Sequence, residues 1–381
     1  MLRAGRRALA PGIGAASVCW TLAVIIPARS DAGVVNPDIS VIGQPFLIWT
    51  NDPNSSDRKR PRIDIGETEL IFDAALNPYA HGTFVMSFGE DGFALEEGYF
   101  SLTRGLPAGL ALKGGQYRVP FGRINPVHPH VLPFAEPFHV LTTYLPGGEA
   151  LIEPGLQLSR RFALVGDTSL DVNADWLQGD SFRIARASSG DPGDPLETGA
   201  GDRAGDSRAA FLGRVSSFSL LGEQSGLEVG LSATGGVNNV AARTQTRVLG
   251  ADAKAKLWTS PRAYAVVQAE VLRLDREDAA WDAAQGTYVH TTVKPVGGYL
   301  FADFNWATRY NAGASYEGFQ RPTAAKEWDQ SVGAFAGLAL LEESTAFRAD
   351  WRRFSPEGGD AVDTVTLRVV FSMGPHKAHQ F

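Results

Sequence analysis

One pattern recurs along almost the whole chain. Val365, Leu367, Val369 and Phe371 alternate with Thr364, Thr366, Arg368 and Val370. Leu170, Val172, Ala174 and Trp176 alternate in the same way with Asp171, Asn173 and Asp175, and Leu227, Val229, Leu231 and Ala233 with Glu228, Gly230, Ser232 and Thr234. A period of two describes strands with one apolar and one polar face. Many such strands, with no helical pattern between them, fit an all-β chain closed into a transmembrane antiparallel β-barrel, its apolar face on lipid and its polar face on water.

Candidate strands fall at 40–49, 62–75, 80–89, 93–103, 110–119, 152–164, 169–178, 209–220, 227–235, 246–257, 263–275, 293–305, 309–319, 330–341, 345–354 and 362–372, a count of about sixteen. Their connections alternate in length. Those at 76–79, 104–109, 165–168, 221–226, 258–262, 306–308 and 342–344 are short and carry turn residues such as Asn77-Pro78, Gly166-Asp167 and Ser260-Pro261. Those at 50–61, 120–151, 179–208, 236–245, 276–292, 320–329 and 355–361 are long, and the tight Gly89-Glu90-Asp91-Gly92 is an exception. Short periplasmic turns and long external loops are the habit of outer-membrane barrels, and an even strand number puts both termini on the short-turn side. The Gly-, Asp- and Pro-rich stretch 188–208 reads as one of the external loops.

The first thirty residues read as an export signal. Arg3, Arg6 and Arg7 precede an apolar run from Ile13 to Ile26, and Ala28-Arg29-Ser30 supplies a small-residue cleavage site. The expected mature chain, 31–381, is a single barrel domain without cysteine, because Cys19 lies in the leader. The net charge of −7 gives no basic, nucleic-acid-binding character. The 42 glycines and 10% aromatics suit barrel strands and interfacial girdles.

Strand register assigns side chains to the lumen. Leu70, Phe72 and Ala74 share one face, so Glu67, Glu69 and Asp73 share the other. Asp252, Lys254 and Lys256 point inward, as do Arg348, Asp350 and Arg352 opposite Phe347, Ala349 and Trp351. The reading is a charged pore lining. Adjacent Glu96 and Glu97 break the alternation; both cannot face the lumen of a regular strand, which places one at a rim or a bulge.

The longest connection is also the least loop-like. Five prolines lie in 120–137, three of the chain's seven histidines lie in 128–139, and Phe121, Leu132, Phe134 and Phe138 call for burial. Prolines restrict its conformations. A segment over 120–151 folded inward against the wall, narrowing the lumen, satisfies both demands. Arg118, Arg123, His128, His130, Glu136 and His139 are then candidate constriction residues, together with Glu67, Glu69 and Asp73 on the wall. His128, His130, Glu136 and His139 have the donor types for a transition metal such as zinc. No catalytic constellation and no cofactor motif is present, so the chain reads as a non-enzyme.

The stretch Gly114-Gly115-Gln116-Tyr117-Arg118-Val119-Pro120-Phe121-Gly122, after Glu96-Glu97-Gly98-Tyr99-Phe100 and Leu106-Pro107-Ala108-Gly109-Leu110, resembles the phosphate-selective porin (porin O/P) type of Gram-negative outer-membrane channel. The stretch Asn36-Pro37-Asp38-Ile39-Ser40-Val41-Ile42-Gly43 and the C-terminal Gly374-Pro375-His376-Lys377-Ala378-His379-Gln380-Phe381 resemble a related group of proteobacterial outer-membrane proteins, some of them labelled zinc-regulated outer-membrane receptors. The resemblance implies a sixteen-stranded, often trimeric channel. It departs at Gln116, where the phosphate-selective pattern usually has a lysine. The resulting expectation is an outer-membrane porin for small hydrophilic solutes or ions, with outer-membrane lipid as its surroundings and the barrel-assembly machinery reading the last strand at Phe371 or Phe381. Uptake or binding of a divalent metal and a closed structural or adhesive barrel are the alternatives.

Overall fold

The computed structural model describes residues 36–90, 92–184, 208–340 and 344–374. The expected leader, nearly all of 188–208 and the tail with His376, His379 and Phe381 lie outside them.

The described strands close into a sixteen-stranded antiparallel barrel. β1 is Asp38–Gly43 continued by Phe46–Thr50, and β2 is Arg62–Asp64 continued by Thr68–Ala75. β3 (Ala80–Gly89), β4 (Gly92–Leu102), β5 (Leu110–Arg118), β6 (Ile152–Ala163), β7 (Thr168–Leu177) and β8 (Ala210–Leu221) follow. Next come β9 (Ser225–Asn239), β10 (Thr244–Ser260), β11 (Ala263–Asp282) and β12, which is Thr287–Val293 continued by Val296–Trp306. β13 (Tyr310–Gln320), β14 (Trp328–Leu340), β15 (Thr345–Ser355) and β16 (Val362–Met373) complete the wall. Each strand pairs with its chain neighbours, and β1 closes the ring on β16, with Val41 opposite Met373 and Thr50 opposite Thr364.

Three strands are interrupted, each for a local reason. Pro45 and Pro295 have no N–H to give the ladder, although their carbonyls still accept from Val369 and Leu274. Gly66 sits at φ +61° between the two parts of β2.

The interior and exterior separate by alternation. Along β12, Tyr299, Phe301 and Asp303 are buried while Leu300 and Phe304 are 47% and 44% exposed. Leu231, Val271, Phe211 and Leu367 extend the exposed apolar rows around the wall. An apolar belt of this extent is out of place in water and suits lipid.

Two expectations change. The connections placed at 236–245 and 276–292 shrink to 240–243 and 283–286, because β9 to β12 run on as long hairpins. Arg276–Asp282 pairs with Thr287–Val293 across them. Their polar residues look like loop in sequence, since beyond the lipid belt no face has to be apolar. The Glu96–Glu97 doublet sits at a bulge: Glu97 faces Val85, Leu95 faces Met86, and Glu96 is the extra residue between them. Both carboxylates are buried, at 8% and 9% exposure, so the bulge turns both inward rather than sending one to a rim.

Candidate constriction site

Between β5 and β6 the chain enters the barrel and crosses it. Asn125 ties the neck: its Nδ2 donates to the carbonyls of Val119 and Leu151 (2.7 and 3.1 Å), and Leu151 N–H donates back to Oδ1 (2.8 Å). The tip seats on β9 to β11. Gly122 N–H donates to Ser232 Oγ (3.1 Å), Ile124 N–H and Arg123 N–H donate to Glu270 Oε1, and Arg123 Nη1 lies 2.6 Å from Glu228 Oε2. Gly122 has φ +59° and its missing side chain would run into the Glu270 carboxylate, so only glycine fits. Gly250 on β10 likewise leaves the space that Phe121 fills.

The apolar residues of the segment form a core with inward side chains of the wall. Phe121, Phe134, Phe138, Val140, Leu141 and Tyr144 are each at most 3% exposed. Phe134 meets Phe301 and Phe335 edge-on, and Phe138 stacks on Tyr299. Burying such side chains contributes roughly 1.5–3 kcal/mol each.

A proline-rich stretch has carbonyls to spare and few N–H groups, so its acceptors need donors from elsewhere. The β15–β16 wall supplies them. Arg348 Nη1 donates to His130 O (2.7 Å) and Leu132 O. Arg368 donates to Pro129 O (3.2 Å), Leu132 O (2.9 Å) and Phe134 O (2.9 Å). Arg352 donates to Glu136 O (2.6 Å) and Pro137 O (3.1 Å). Arg348 and Arg352, expected to line open water, thus fasten the segment by its backbone. Asp350 does the same with Ala135 N–H (3.0 Å).

On the neighbouring arc of the wall, formed by β2, β4 and β5, lies a titratable cluster. Arg118 Nη2 donates to Glu96 Oε2 (2.8 Å) and its backbone N–H to Glu97 Oε1 (2.8 Å). His128 Nε2 is 3.0 Å from Glu97 Oε2, and its Nδ1 lies 3.4 Å from Oε2 of both Glu69 and Glu96, at ion-pair distance without a hydrogen bond. His130 Nδ1 is 2.8 Å from Glu69 Oε1 and its ring stacks on His128, 5.8 Å between centroids. Burial alone would depress the His128 imidazole. The close carboxylates of Glu96 and Glu97, with the charge of Glu69, outweigh it and raise its pKa to about 9.

The other candidate residues are elsewhere. His139 is 2.7 Å from Glu317 Oε1 and stacks on Phe354. Glu136 keeps its carboxylate largely exposed, 3.6 Å from Arg352. Asp73 accepts from Thr83 Oγ1 and contacts His81 Nε2, both at 2.7 Å. His128, His130, Glu136 and His139 therefore stand against three different parts of the wall and do not converge as a metal-ligand set. Among the described residues no group of three or more such side chains is arranged to hold a metal ion.

Two chambers flank the segment. One, of about 540 Å³, lies toward the short-turn end and is lined by Asp38, Asp73, Asp303, Glu97 and His128 among others. The other, of about 490 Å³, lies toward the long-connection end and includes Phe46, Ile48, Glu67, Arg118 and Thr366. Ile124, Val127 and Leu132 line both and stand between them.

This architecture has solved counterparts. The outer-membrane channel DcaP of Acinetobacter baumannii matches with a TM-score of 0.57 and 10% identity, over 91% of this chain and 99% of that one. The anion-selective porin from Comamonas acidovorans matches at 0.57 and 11%, over 89% and 100%. OmpF of Salmonella typhi, in complex with daunomycin, matches at 0.54 and 11%, over 88% and 97%. The fold is that of the outer-membrane porins. At these identities the likeness is one of architecture. No family model matches the chain. An uncharacterized protein of Aquifex aeolicus (strain VF5) is 42% identical over 97 residues, a match covering 26% of this chain and only 20% of the relative.

Sequence reasoning missed Arg368, Glu270, Glu228 and Glu317 as partners of the segment. The inward register of Arg368 was readable from its strand; the segment carbonyls it would meet were not.

Proposed function

We propose that the chain is an outer-membrane channel for passive diffusion of small hydrophilic solutes or ions, with residues 119–151 setting its aperture. The observation that carries this reading is the pair of chambers, each with charged side chains among its lining residues, on either side of an in-folded segment, inside a closed barrel whose outer surface is apolar. Export by the leader, an outer-membrane location with the short turns in the periplasm, and assembly through the last strand belong to the same reading. So does a homotrimer, for which OmpT of Vibrio cholerae in its trimer form is a structural parallel. The likeness of 93–123 to phosphate-selective porins supports the grouping. Gln116 in place of lysine, and wall arginines occupied by segment carbonyls, speak against phosphate selectivity.

The test is planar-bilayer recording of the refolded protein, with reversal potentials under a salt gradient. Discrete steps that scale with salt and do not saturate support the channel. A correctly folded barrel that gives no conductance at any pH overturns it and favours a closed structural barrel.

A further inference from the structure

The His128 cluster sits at the place where the two chambers come closest. Glu67 and Arg118 line the chamber on the long-connection side, while Glu97, His128 and His130 line the other. Glu67 and Glu96 lie within hydrogen-bonding reach of each other, so a continuous line of titratable groups runs past the apolar contact of Ile124, Val127 and Leu132. Glu69 is fully buried, and its Oε2 faces His128 Nδ1 at ion-pair distance with no hydrogen bond to either atom. This arrangement is stable only in one charge state. An imidazolium among carboxylates is held, whereas a neutral imidazole leaves buried carboxylates without their counter-ion.

We infer that the cluster is a proton-binding latch, which keeps residues 124–128 seated between the chambers only while His128 carries its proton. The inference rests on the channel reading above. The groups facing His128 are Glu67 and Glu69 on the β2 side, Glu96 and Glu97 on β4, Arg118 on β5 and His130 on the segment itself. Lys113 on β5 adds its charge near Glu97.

In alkali, neutral His128 leaves Glu69, Glu96 and Glu97 crowded together. That change pushes the segment from β2 and β4 while the arginine anchors on β15 and β16 stay in place. The aperture is thus smallest below about pH 9, where His128 is charged, and widens above it.

Single-channel conductance of the full-length refolded protein at about pH 7 and 10 tests this. The expected result is a minimum at neutral pH and a rise of roughly twofold or more at pH 10. Glu97→Gln and His128→Gln are expected to show the raised value already at neutral pH, with folding verified by heat-modifiable gel migration. Glu317→Gln, at the far anchor, keeps the minimum. If His128→Gln does not fold, Glu97→Gln carries the same expectation. A non-zero wild-type conductance that is flat across this range overturns the latch and leaves the channel reading standing, as does a minimum that persists in the folded Glu97→Gln protein. Absence of any conductance overturns the channel reading instead.

Discussion

Phe138 lies flat on Tyr299, with ring centroids 4.1 Å apart and planes 12° from parallel. The contact joins the in-folded segment to β12 and is fully buried on both sides. Replacing Phe138 by Ala removes it and leaves a cavity, at a cost of about 3–5 kcal/mol to the seating of the segment. The barrel ladder does not depend on this ring. Phe138→Ala is expected to keep heat-modifiable migration and to raise conductance. Conductance equal to wild type would show that the segment does not set the aperture.

Arg368 satisfies the carbonyls of Pro129, Leu132 and Phe134. Gln at this position reaches fewer of them, and Lys lacks the planar fork that serves several acceptors at once. Each buried carbonyl left unpaired costs about 1–3 kcal/mol. Both Arg368→Gln and Arg368→Lys are expected to lower the urea midpoint of the refolded protein, with Lys giving no full rescue.

Gln116 explains itself at the bulge. Its Nε2 donates to Leu95 O (2.6 Å) and Glu96 O (3.2 Å), which lie past the last β4–β5 pair, Gly98 with Gln116 itself. In a lipid-embedded wall such acceptors have no water to turn to. Gln116→Leu is expected to destabilise the barrel by about 1–3 kcal/mol in lipid or detergent unfolding. Gln116→Lys, which restores the residue usual in phosphate-selective porins and keeps a donor, is expected to lose less. Equal losses would refute the capping role.

The His128 pKa is raised by folding, from the usual 6.5 to about 9. The sign follows: its stabilising contribution is complete below pH 6.5 and disappears as pH rises through about 9. Amide hydrogen exchange over 124–128, corrected for its intrinsic pH dependence, is expected to be slow at neutral pH and faster above that value in wild type. In His128→Gln the corrected rate is expected not to change with pH.

The strand plan was readable because lipid on one side and water on the other impose a period of two on every crossing segment. Leu300, Phe301, Ala302 and Asp303 follow it one by one. The rule lapses where the constraint does, which is why Arg276–Asp282 and Thr287–Val293 looked like a loop. The inward preference of 120–151 was legible from Phe121, Phe134 and Phe138 among prolines. Its partners were not. His130 meets Glu69 across 61 residues of sequence, and Arg352 meets Glu136 across 216. The histidines announced themselves by residue type, whereas the carboxylates that decide their charge lie on strands whose rotation around the barrel follows only from closure.

The β15–β16 arginines grip backbone carbonyls, which every residue type carries alike. In the proposed channel, mutational drift over 129–137 can therefore change which side chains a passing solute meets without unfastening the segment, provided its path and its buried rings are kept. Fixing and filtering are in this sense separately heritable, and one scaffold of three wall arginines is open to a range of permeation specificities.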